Sequence, residues 1–546
     1  MTLISKLWMS GMGEASAPAD RRPGVIVGMD GGTVKYDRNG KPVAQRGGVP
    51  LTDRTCNPVI STGPMGSGKT QLLYATLMDE AFGYTHSAVL WDYKRVLCDE
   101  VGAAREAMGQ DVIVVDITRR GAGRVNPMQW VREGDRFVAD IQLIAGKIAN
   151  REENGDGKSA HWINATYSYM SGVIAYVLTS APDSEKCLAG VRRHMLRGDA
   201  GSKEMMRDGI DTLAVEAAQE LWSISEVWEP EEEDEEEFGG IDDKSAAYRK
   251  AIYTTASAML ADFADDVLAS QTAVSDFDPS DLVGRERPLT VIISTMPSDA
   301  RRLRRVYGLI FTQIVDRLTE DTKHVCGMPR FWDVLLGIDE FLEFKIEEVS
   351  SWVKYLREYR VRPLLLSQTF ESVLEMYQRV MASSAAWVAF APMSVFEADL
   401  MSRMIGDRDE VVESQSRSKK NWFETATVTE STRLERRPER TASDLMDMNR
   451  DELFIFGLGG TINANRILAF LRYPGLYGPA ARKWVSPVSS NPWCGKFIPV
   501  PPPPPKPKKR KETAGKEENG NSETAAAVPA KPKTSKARSL LKGINK

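Results

Sequence analysis

The sequence predicts an α/β fold in which a mostly parallel, doubly wound sheet is interrupted by a long helical insertion. Short apolar runs alternate with helical stretches in residues 51–133 and again in residues 279–485. Strands that alternate with helices in this way are typical of βαβ units. Residues 134–278 instead show apolar residues at helical spacing and no convincing strand. This stretch is therefore expected to be an inserted all-α domain.

Length and composition narrow the class of protein. The chain of 546 residues is too long for one compact core, and its 42% hydrophobic and 27% charged residues are ordinary for a globular protein. Its five cysteines form no C-x-x-C pair, so neither a zinc site nor a disulfide framework is indicated. No apolar run approaches the roughly 20 residues of a membrane helix. We therefore expect a cytoplasmic protein, for which any contact with a membrane, such as peripheral binding at the inner membrane, is made through partners.

The formal net charge of −5 hides an asymmetry between the body of the chain and its end. Residues 501–546 carry twelve Lys and Arg against four Glu, and the remainder of the chain is acidic. Any contact with nucleic acid is therefore expected to be local. Residues 486–546 are rich in proline and lysine, which predicts a disordered tail. An acidic run at residues 229–237 indicates either a solvated loop or a binding tail.

The N-terminal 50 residues are rich in glycine, proline and charge and show little apolar periodicity. Residues 24–28 and 33–36 are expected to pair as a hairpin around the turn at residues 30–32. We interpret residues 1–50 as a small lead-in ribbon with no visible chemistry.

A glycine-rich loop follows the first buried strand, which is expected at residues 57–61. The loop has the G-x-x-x-x-G-K-[ST] spacing of a P-loop and consists of Gly63, Pro64, Met65, Gly66, Ser67, Gly68, Lys69 and Thr70. Its glycines allow backbone N–H groups to surround a phosphate, Lys69 reaches the β- and γ-phosphates, and Thr70 offers its hydroxyl to magnesium. A helix at residues 71–78 adds positive potential at the phosphates. The sequence thus predicts binding of a nucleoside triphosphate with Mg²⁺.

Further strands and helices alternate along the chain. Strands are expected at residues 87–92, 111–117, 289–294 and 334–338, with helices at 96–108 and 299–322. The strand at 334–338 ends in Asp339 and Glu340, close to the Walker B form. Asp339 is expected to hold magnesium through water, and Glu340 to polarise the attacking water.

The last part of the sheet follows a helix at residues 350–359. The strand at 363–368 ends in Gln368, at the position where ring ATPases sense the γ-phosphate. Later strands are expected at residues 386–390, 452–456 and 466–470.

Four arginines open the helix expected at residues 299–322. Arg301, Arg302, Arg304 and Arg305 stand where the helix dipole disfavours cations, so a compensating partner is expected. Nucleic-acid phosphate or local acids such as Asp299 would each supply one.

Taken in order, the motifs of residues 51–475 resemble those of the TraG-like type IV secretion coupling proteins, which are ATPases of conjugation systems. Residues 91–94 look like the D-P-K strand end of the family, and residues 124–128 look like its N-P-L turn. His161 and Trp162 resemble the start of its inserted all-α domain, and residues 275–278 the return to the core. Gln368, followed by Tyr377, resembles its strand with a terminal glutamine.

The sequence departs from the family pattern at two places. Residues 92–96 read Asp-Tyr-Lys-Arg-Val, so the Pro, Gly and acid of the usual D-P-K-G-E segment are missing. The N-terminal membrane helices that most members carry are not found either.

The resemblance implies a RecA-like P-loop ATPase core with nucleotide bound between the subunits of a hexamer. ATP hydrolysis would move DNA or a relaxase–DNA complex towards the channel of a type IV secretion system. Arg357 lies where the family places an arginine that acts on a neighbouring subunit's γ-phosphate, and this is the role expected of it. The alternative is a solvated helix charge, since Arg360 and Arg362 are close by. The alternatives are a soluble substrate receptor or adaptor in which ATP drives assembly, and a general DNA-pumping ATPase.

Overall fold

The computed structural model describes residues 22–149, 160–227, 244–344, 349–375, 385–418 and 427–474. The acidic run at 229–237, Tyr377 and the tail from residue 486 lie outside the described residues. No helix within the described part is long and apolar enough to cross a bilayer.

Seventeen strands lie in these described ranges. In chain order they are β1 (Val25–Asp30), β2 (Thr33–Tyr36), β3 (Pro42–Arg46), β4 (Val49–Asp53), β5 (Val59–Thr62), β6 (Ser87–Asp92), β7 (Asp111–Val115), β8 (Leu289–Ser294), β9 (His324–Val325), β10 (Met328–Pro329), β11 (Val334–Ile338), β12 (Val361–Ser367), β13 (Ala386–Ala389), β14 (Asp407–Ser418), β15 (Thr427–Pro438), β16 (Glu452–Phe456) and β17 (Ile462–Asn465).

The α-helices of the same ranges are, in chain order, α1 (Lys69–Met78), α2 (Leu97–Ala107), α3 (Phe137–Ala149), α4 (Ala160–Ser180), α5 (Leu188–Met195), α6 (Asp199–Asp208), α7 (Thr212–Val227), α8 (Lys244–Met259), α9 (Asp266–Gln271), α10 (Asp281–Gly284), α11 (Pro297–Arg302), α12 (Arg304–Leu318), α13 (Phe341–Phe344), α14 (Val349–Tyr355), α15 (Val395–Ile405), α16 (Ala442–Met446) and α17 (Ala469–Arg472). A 3₁₀ helix at Leu356–Tyr359 joins α14 to β12.

Eleven strands form the main sheet, in the order β4-β1-β17-β16-β13-β5-β12-β11-β6-β8-β7. The seven strands from β13 to β7 run parallel to one another. The remaining pairs, from β13–β16 out to β1–β4, are antiparallel. The predicted α/β fold with a mostly parallel sheet is confirmed.

Both faces of the sheet are covered, as its apolar strands require. On β6, Val89 and Trp91 belong to the core that also contains the helices between β7 and β8. Ala88 and Leu90, the alternate residues, belong to the opposite core, which α1 and α2 cover. The period-two alternation of strand side chains thus assigns each residue of β6 to one layer.

Between β7 and β8 the described residues form helices joined by turns and loops, and no strand of the main sheet. Two distant motifs meet at the base of this region. Arg124 donates to the carboxylate of Asp276, with Nη2 2.8 Å from Oδ1, and both side chains are buried. The Asn126 amide donates to the carbonyls of Lys186 at 2.8 Å and Ala273 at 3.0 Å. The outgoing turn and the returning segment therefore bind each other directly.

The prediction that residues 24–28 and 33–36 pair as an N-terminal hairpin is wrong. β1 pairs with β4 and with β17 inside the main sheet, while β2 pairs with β3. The first five residues of β1 are buried, and a strand that is apolar on both faces is more stable between two neighbours than in an exposed hairpin. Of the N-terminal strands, β1 and β4 are thus part of the main sheet, while β2 and β3 form a separate two-stranded sheet.

Two other expectations at the level of elements need correction. Residues 466–470 are not a strand, because β17 ends at Asn465 and α17 begins at Ala469. The helix expected at 299–322 is two helices that break at Leu303. The long ribbon of β14 and β15 was not predicted, since its strands are mostly polar and charged and lack an apolar period.

Candidate nucleotide site

The glycine-rich loop lies at the carboxyl edge of the parallel strands, between the end of β5 and the start of α1. Gly68 has a φ of 116°, which favours glycine strongly. A Cβ at Gly63 would lie 2.6 Å from the Cβ of Phe390. The loop therefore requires glycine at both positions, and its backbone curls at the N-terminus of α1, where anions bind well.

Lys69 is the first residue of α1, and its ammonium group turns back into the loop. Its Nζ donates to the carbonyl of Gly63 at 2.6 Å and to that of Pro64 at 3.3 Å. Burial lowers the pKa of Lys69, against the opposing effect of Glu340 and Asp339. Lys69 is buried, and a buried cation at a helix N-terminus is unfavourable unless an anion binds beside it.

Thr70 and Asp339 form the pair expected for a metal. The hydroxyl of Thr70 donates to Oδ2 of Asp339 at 3.1 Å. Burial raises the pKa of Asp339, and the charge of Glu340 adds to this rise. A carboxylate and a hydroxyl fit Mg²⁺, which usually takes one or two carboxylates together with substrate phosphates. Among the described residues, no group of three or more His, Cys, Asp or Glu side chains is arranged to hold a metal ion.

Glu340 lies between two polar side chains that approach it from neighbouring segments. Its Oε1 is 3.7 Å from Nζ of Lys94, and its Oε2 is 3.5 Å from Nε2 of Gln368. The carbonyl of Gln368 accepts from the N–H of Gly63 at 3.1 Å. Gln368 therefore contacts both the P-loop backbone and the carboxylate expected to act on water.

Asp92, in the segment that resembles D-P-K, has a structural role here. Its carboxylate accepts from the backbone N–H groups of Val96 at 3.1 Å and Leu97 at 3.0 Å, and from the Ser294 hydroxyl at 2.9 Å. Burial raises the pKa of Asp92 despite these bonds. Asp92 thereby holds the turn that presents Lys94 to Glu340.

Arg357 does not approach the P-loop of its own chain. It is exposed in the 3₁₀ helix before β12, and its Nη1 donates to Oδ1 of Asn57 at 3.1 Å. Both residues lie at the amino ends of parallel strands. The seven residues of β12 separate this edge from the P-loop edge by about 20 Å.

The arginine cluster after β8 has local acidic partners. Arg302 lies 3.5 Å from Asp262, 3.6 Å from Asp265 and 3.4 Å from Asp299, measured between charged atoms. For Arg302, the contacts support local acids rather than nucleic-acid phosphate as the compensating partner.

A pocket of about 640 Å³ opens beside the P-loop, and sequence reasoning missed most of its outer wall. Aromatic and cationic side chains form this wall: Tyr36, Phe390, Arg450, Arg466 and Phe470. Phe390 follows β13, which runs parallel to β5, so the shared carboxyl edge was a usable signal for it. Tyr36 and Arg466 carry no local signal, because antiparallel strands from the two ends of the sequence bring them here.

The P-loop nucleotide-binding proteins are defined by a strand, a glycine-rich loop and a helix, with a metal-binding hydroxyl at the start of the helix. This site has those parts, and Asp339 lies beside Thr70. Within that class, the family model of type IV secretory system conjugative DNA transfer proteins matches residues 15–485. The chain belongs to this family, as its motifs predicted.

Two curated relatives are conjugal transfer proteins TraG from Escherichia coli. One is 24% identical over 378 residues, which are 64% of this chain and 55% of the relative. The other is 22% identical over 384 residues, which are 65% and 56% of the two chains. The chain thus spans about half the length of the curated relatives it matches.

Two solved structures of a bacterial coupling protein share the fold. TrwBΔN70, in an unbound monoclinic form, has a TM-score of 0.52 at 12% identity over 82% of this chain and 89% of that one. TrwB in complex with the non-hydrolysable ATP analogue ADPNP has a TM-score of 0.50 at 13% identity over 80% and 89%. At such low identity the likeness concerns the fold alone.

Proposed function

We propose that this protein is an ATP-driven coupling protein of a conjugation system, which recruits DNA or a protein–DNA substrate and moves it towards a type IV secretion channel. Membership of the conjugative DNA transfer family supports the role. The observation that carries the enzymatic part is the Thr70–Asp339 contact at 3.1 Å, with Glu340 next in sequence. It brings the metal-binding pair and a general base to one edge of the sheet.

Each residue of the site has a role in this proposal. The P-loop, residues 63–70, binds the phosphates, and Lys69 adds its charge at the β- and γ-phosphates. Thr70 and Asp339 hold Mg²⁺, whose charge offsets the charge that develops on the transferred phosphoryl group. Glu340 polarises the attacking water. Gln368, whose Nε2 is 3.5 Å from that carboxylate, senses the γ-phosphate. That TrwB has been solved with an ATP analogue supports the choice of nucleotide.

The working assembly in this proposal is a hexameric ring, with ATP bound between subunits. Arg357 lies about 20 Å from the P-loop edge of its own sheet, as the length of β12 requires. A neighbouring subunit is needed if Arg357 is to reach a γ-phosphate. Such an arginine supplied in trans raises turnover by about 10³- to 10⁵-fold in other P-loop enzymes.

The test is the rate of ATP hydrolysis with and without single- or double-stranded DNA, on protein sized by light scattering. DNA-stimulated turnover by a ring-sized species is expected, and the Lys69→Ala variant is the matched control for contaminating activity. Nucleotide binding without DNA-stimulated turnover would instead favour a receptor or adaptor in which ATP drives assembly. Stimulation by any duplex DNA, with no effect of a conjugative substrate complex, would favour a general DNA pump.

A further inference from the structure

The guanidinium group of Arg466 is buried against the P-loop at Gly66 and Ser67. Its Nη1 donates to the carbonyls of Gly66 at 3.3 Å and Ser67 at 3.2 Å. Its Nε donates to Oδ1 of Asp451 at 2.8 Å, and its Nη2 to the hydroxyl of Tyr36 at 2.6 Å. The Tyr36 hydroxyl donates in turn to Asp451. The Arg466 side chain is 4% exposed, so all three of its nitrogens are used inside the protein.

A structural ion pair alone does not explain this arrangement. Asp451 neutralises the charge of Arg466, and Tyr36 bridges the two groups. The ion pair is therefore satisfied without any contact to the P-loop. Nη1 nevertheless points at the P-loop, where it holds two successive carbonyls. The planar guanidinium group presents its N–H donors in fixed directions. It can therefore orient the carbonyl groups that it contacts, as well as supply positive charge.

The two carbonyls determine how the loop presents its N–H groups. In a trans peptide the C=O of one residue and the N–H of the next point in opposite directions, and the described residues contain no cis peptide. Fixing the carbonyls of Gly66 and Ser67 therefore directs the N–H groups of Ser67 and Gly68 away from Arg466. The Ser67 N–H accordingly donates across the loop to the carbonyl of Pro64 at 3.1 Å. Together with the contacts of Arg466, this bond fixes the backbone conformation of residues 64–67.

We propose that Arg466, held by Asp451 and Tyr36, is a positioning residue that orients the P-loop for a nucleoside diphosphate or triphosphate. The inference rests on the nucleotide binding proposed above. Because Arg466 acts on the loop rather than on the reacting atoms, it affects the ground state and the transition state alike. Its loss raises the dissociation constant and KM while leaving kcat nearly unchanged.

The test compares purified full-length variants by titration with ADP, by steady-state ATP hydrolysis and by hydrogen exchange of residues 63–70. Arg466→Met is expected to raise the Kd for ADP and the KM for ATP about tenfold, with kcat within about twofold. Arg466→Lys, which keeps the charge but not the fork, should lie between Arg466→Met and wild type. Exchange in residues 63–70 should be faster in Arg466→Met while that of β6 and β8 stays unchanged.

One further variant, Tyr36→Phe, keeps the inference testable if Arg466→Met fails to fold. Tyr36→Phe removes one hydroxyl and is expected to raise the Kd for ADP about threefold. Arg46→Met, at an exposed arginine of β3, which pairs with the β2 strand that carries Tyr36, is the matched control and should leave the Kd unchanged.

Two results would overturn the inference. One is a folded Arg466→Met protein, or a Tyr36→Phe protein, that binds ADP as tightly as wild type. The other is a loss of kcat in Arg466→Met at unchanged Kd and KM. A wild-type protein that binds no ADP refutes the proposed function itself, so the two failures are distinguishable.

Discussion

Lys69, Asp339 and Glu340 each stand where a purely structural residue would be avoided. Burial lowers the pKa of Lys69 and raises that of Asp339, so each charge is disfavoured at its position. Glu340 has a φ of 52°, in the left-handed region, which costs about 1 kcal/mol or more for a residue with a side chain. A bound nucleotide with its cation would relieve both electrostatic costs.

The first prediction separates nucleotide binding from turnover. Lys69→Ala is expected to abolish ATP turnover and weaken ADP binding, because the phosphates lose their charged partner. Glu340→Gln should bind ADP within about threefold of wild type and lower kcat about 100-fold or more, since only the base is removed. Titration with ADP and a steady-state assay on both variants measure this. If Glu340→Gln hydrolyses ATP at the wild-type rate, Glu340 is not the base.

The second prediction concerns the stability cost of Asp339. Its raised pKa means that the folded protein holds this proton more tightly than the unfolded chain does. As the pH rises above about 4, the usual pKa of aspartic acid, stability is therefore lost, until the pH passes the raised pKa. Without nucleotide, Asp339→Asn should increase the free energy of unfolding at pH 7 by about 1 kcal/mol and abolish Mg²⁺-dependent hydrolysis.

Urea unfolding of Asp339→Asn at several pH values measures this effect. Asp399→Asn, at an exposed carboxylate of α15, is the control and should behave as wild type. Equal stability of Asp339→Asn and wild type at pH 7 would show that burial of Asp339 carries no cost.

At the scale of elements, one buried ion pair joins the N-terminal strands to the centre of the sheet. Arg362 is the second residue of β12. It donates from Nη2 to Asp53 Oδ2 at 2.5 Å and from Nη1 to the Asp53 carbonyl at 2.7 Å. Its Nε donates to the carbonyl of Asn57 at 2.9 Å. The side chain of Arg362 is 3% exposed and that of Asp53 is fully buried. The end of β4 and the approach to β5 are thus tied to one guanidinium group.

The third prediction is that Arg362→Met lowers the free energy of unfolding by about 3–5 kcal/mol, because it leaves the buried Asp53 carboxylate without its cation. Adding Asp53→Asn to Arg362→Met should recover part of that loss, since no buried charge then remains unpaired. Chemical denaturation of the single and double variants measures both effects. Arg403→Met, at an exposed arginine of α15, should change stability by less than about 0.5 kcal/mol. A double variant less stable than Arg362→Met alone would contradict the argument.

At the scale of the whole molecule, the position of Arg357 bears on whether a single subunit can complete its own site. It lies at the amino ends of the strands, beside Asn57, while the P-loop lies at their carboxyl ends. A monomer therefore has no means of bringing Arg357 to its own nucleotide without breaking the sheet.

The fourth prediction follows from this separation. Arg357→Ala should bind ADP as wild type does and hydrolyse ATP poorly, and the specific activity of wild type should rise with protein concentration. Mixing inactive Arg357→Ala with inactive Lys69→Ala should restore part of the turnover, because a mixed ring contains sites with one intact residue from each subunit. If mixed assemblies form, as judged by co-purification of differently tagged variants, and no activity returns, Arg357 does not act across the interface.

Contiguous patterns allowed the strand–loop–helix unit and the Asp339–Glu340 strand end to be predicted. Thr70 and Asp339 are 269 residues apart in sequence, yet their meeting follows from the rule that the carboxyl ends of parallel strands share one edge. Alternation of short apolar runs with helical spacing predicted the parallel half of the sheet for the same reason. The family resemblance was visible from the order of these motifs along the chain, so it did not depend on knowing which of them are in contact.

The antiparallel half of the sheet and the outer wall of the nucleotide pocket were decided by tertiary structure alone. β1 was expected in a local hairpin, but it lies between β4 and β17, because burial of both its faces outweighs a nearby turn. That pairing brings Tyr36 to Arg466, 430 residues away in sequence, and both to the P-loop. The sequence by itself thus determined which residues are expected to bind phosphate and metal, since that chemistry resides in neighbouring residues. Which residues hold the loop in shape depended on long-range strand pairing, for which no local pattern exists.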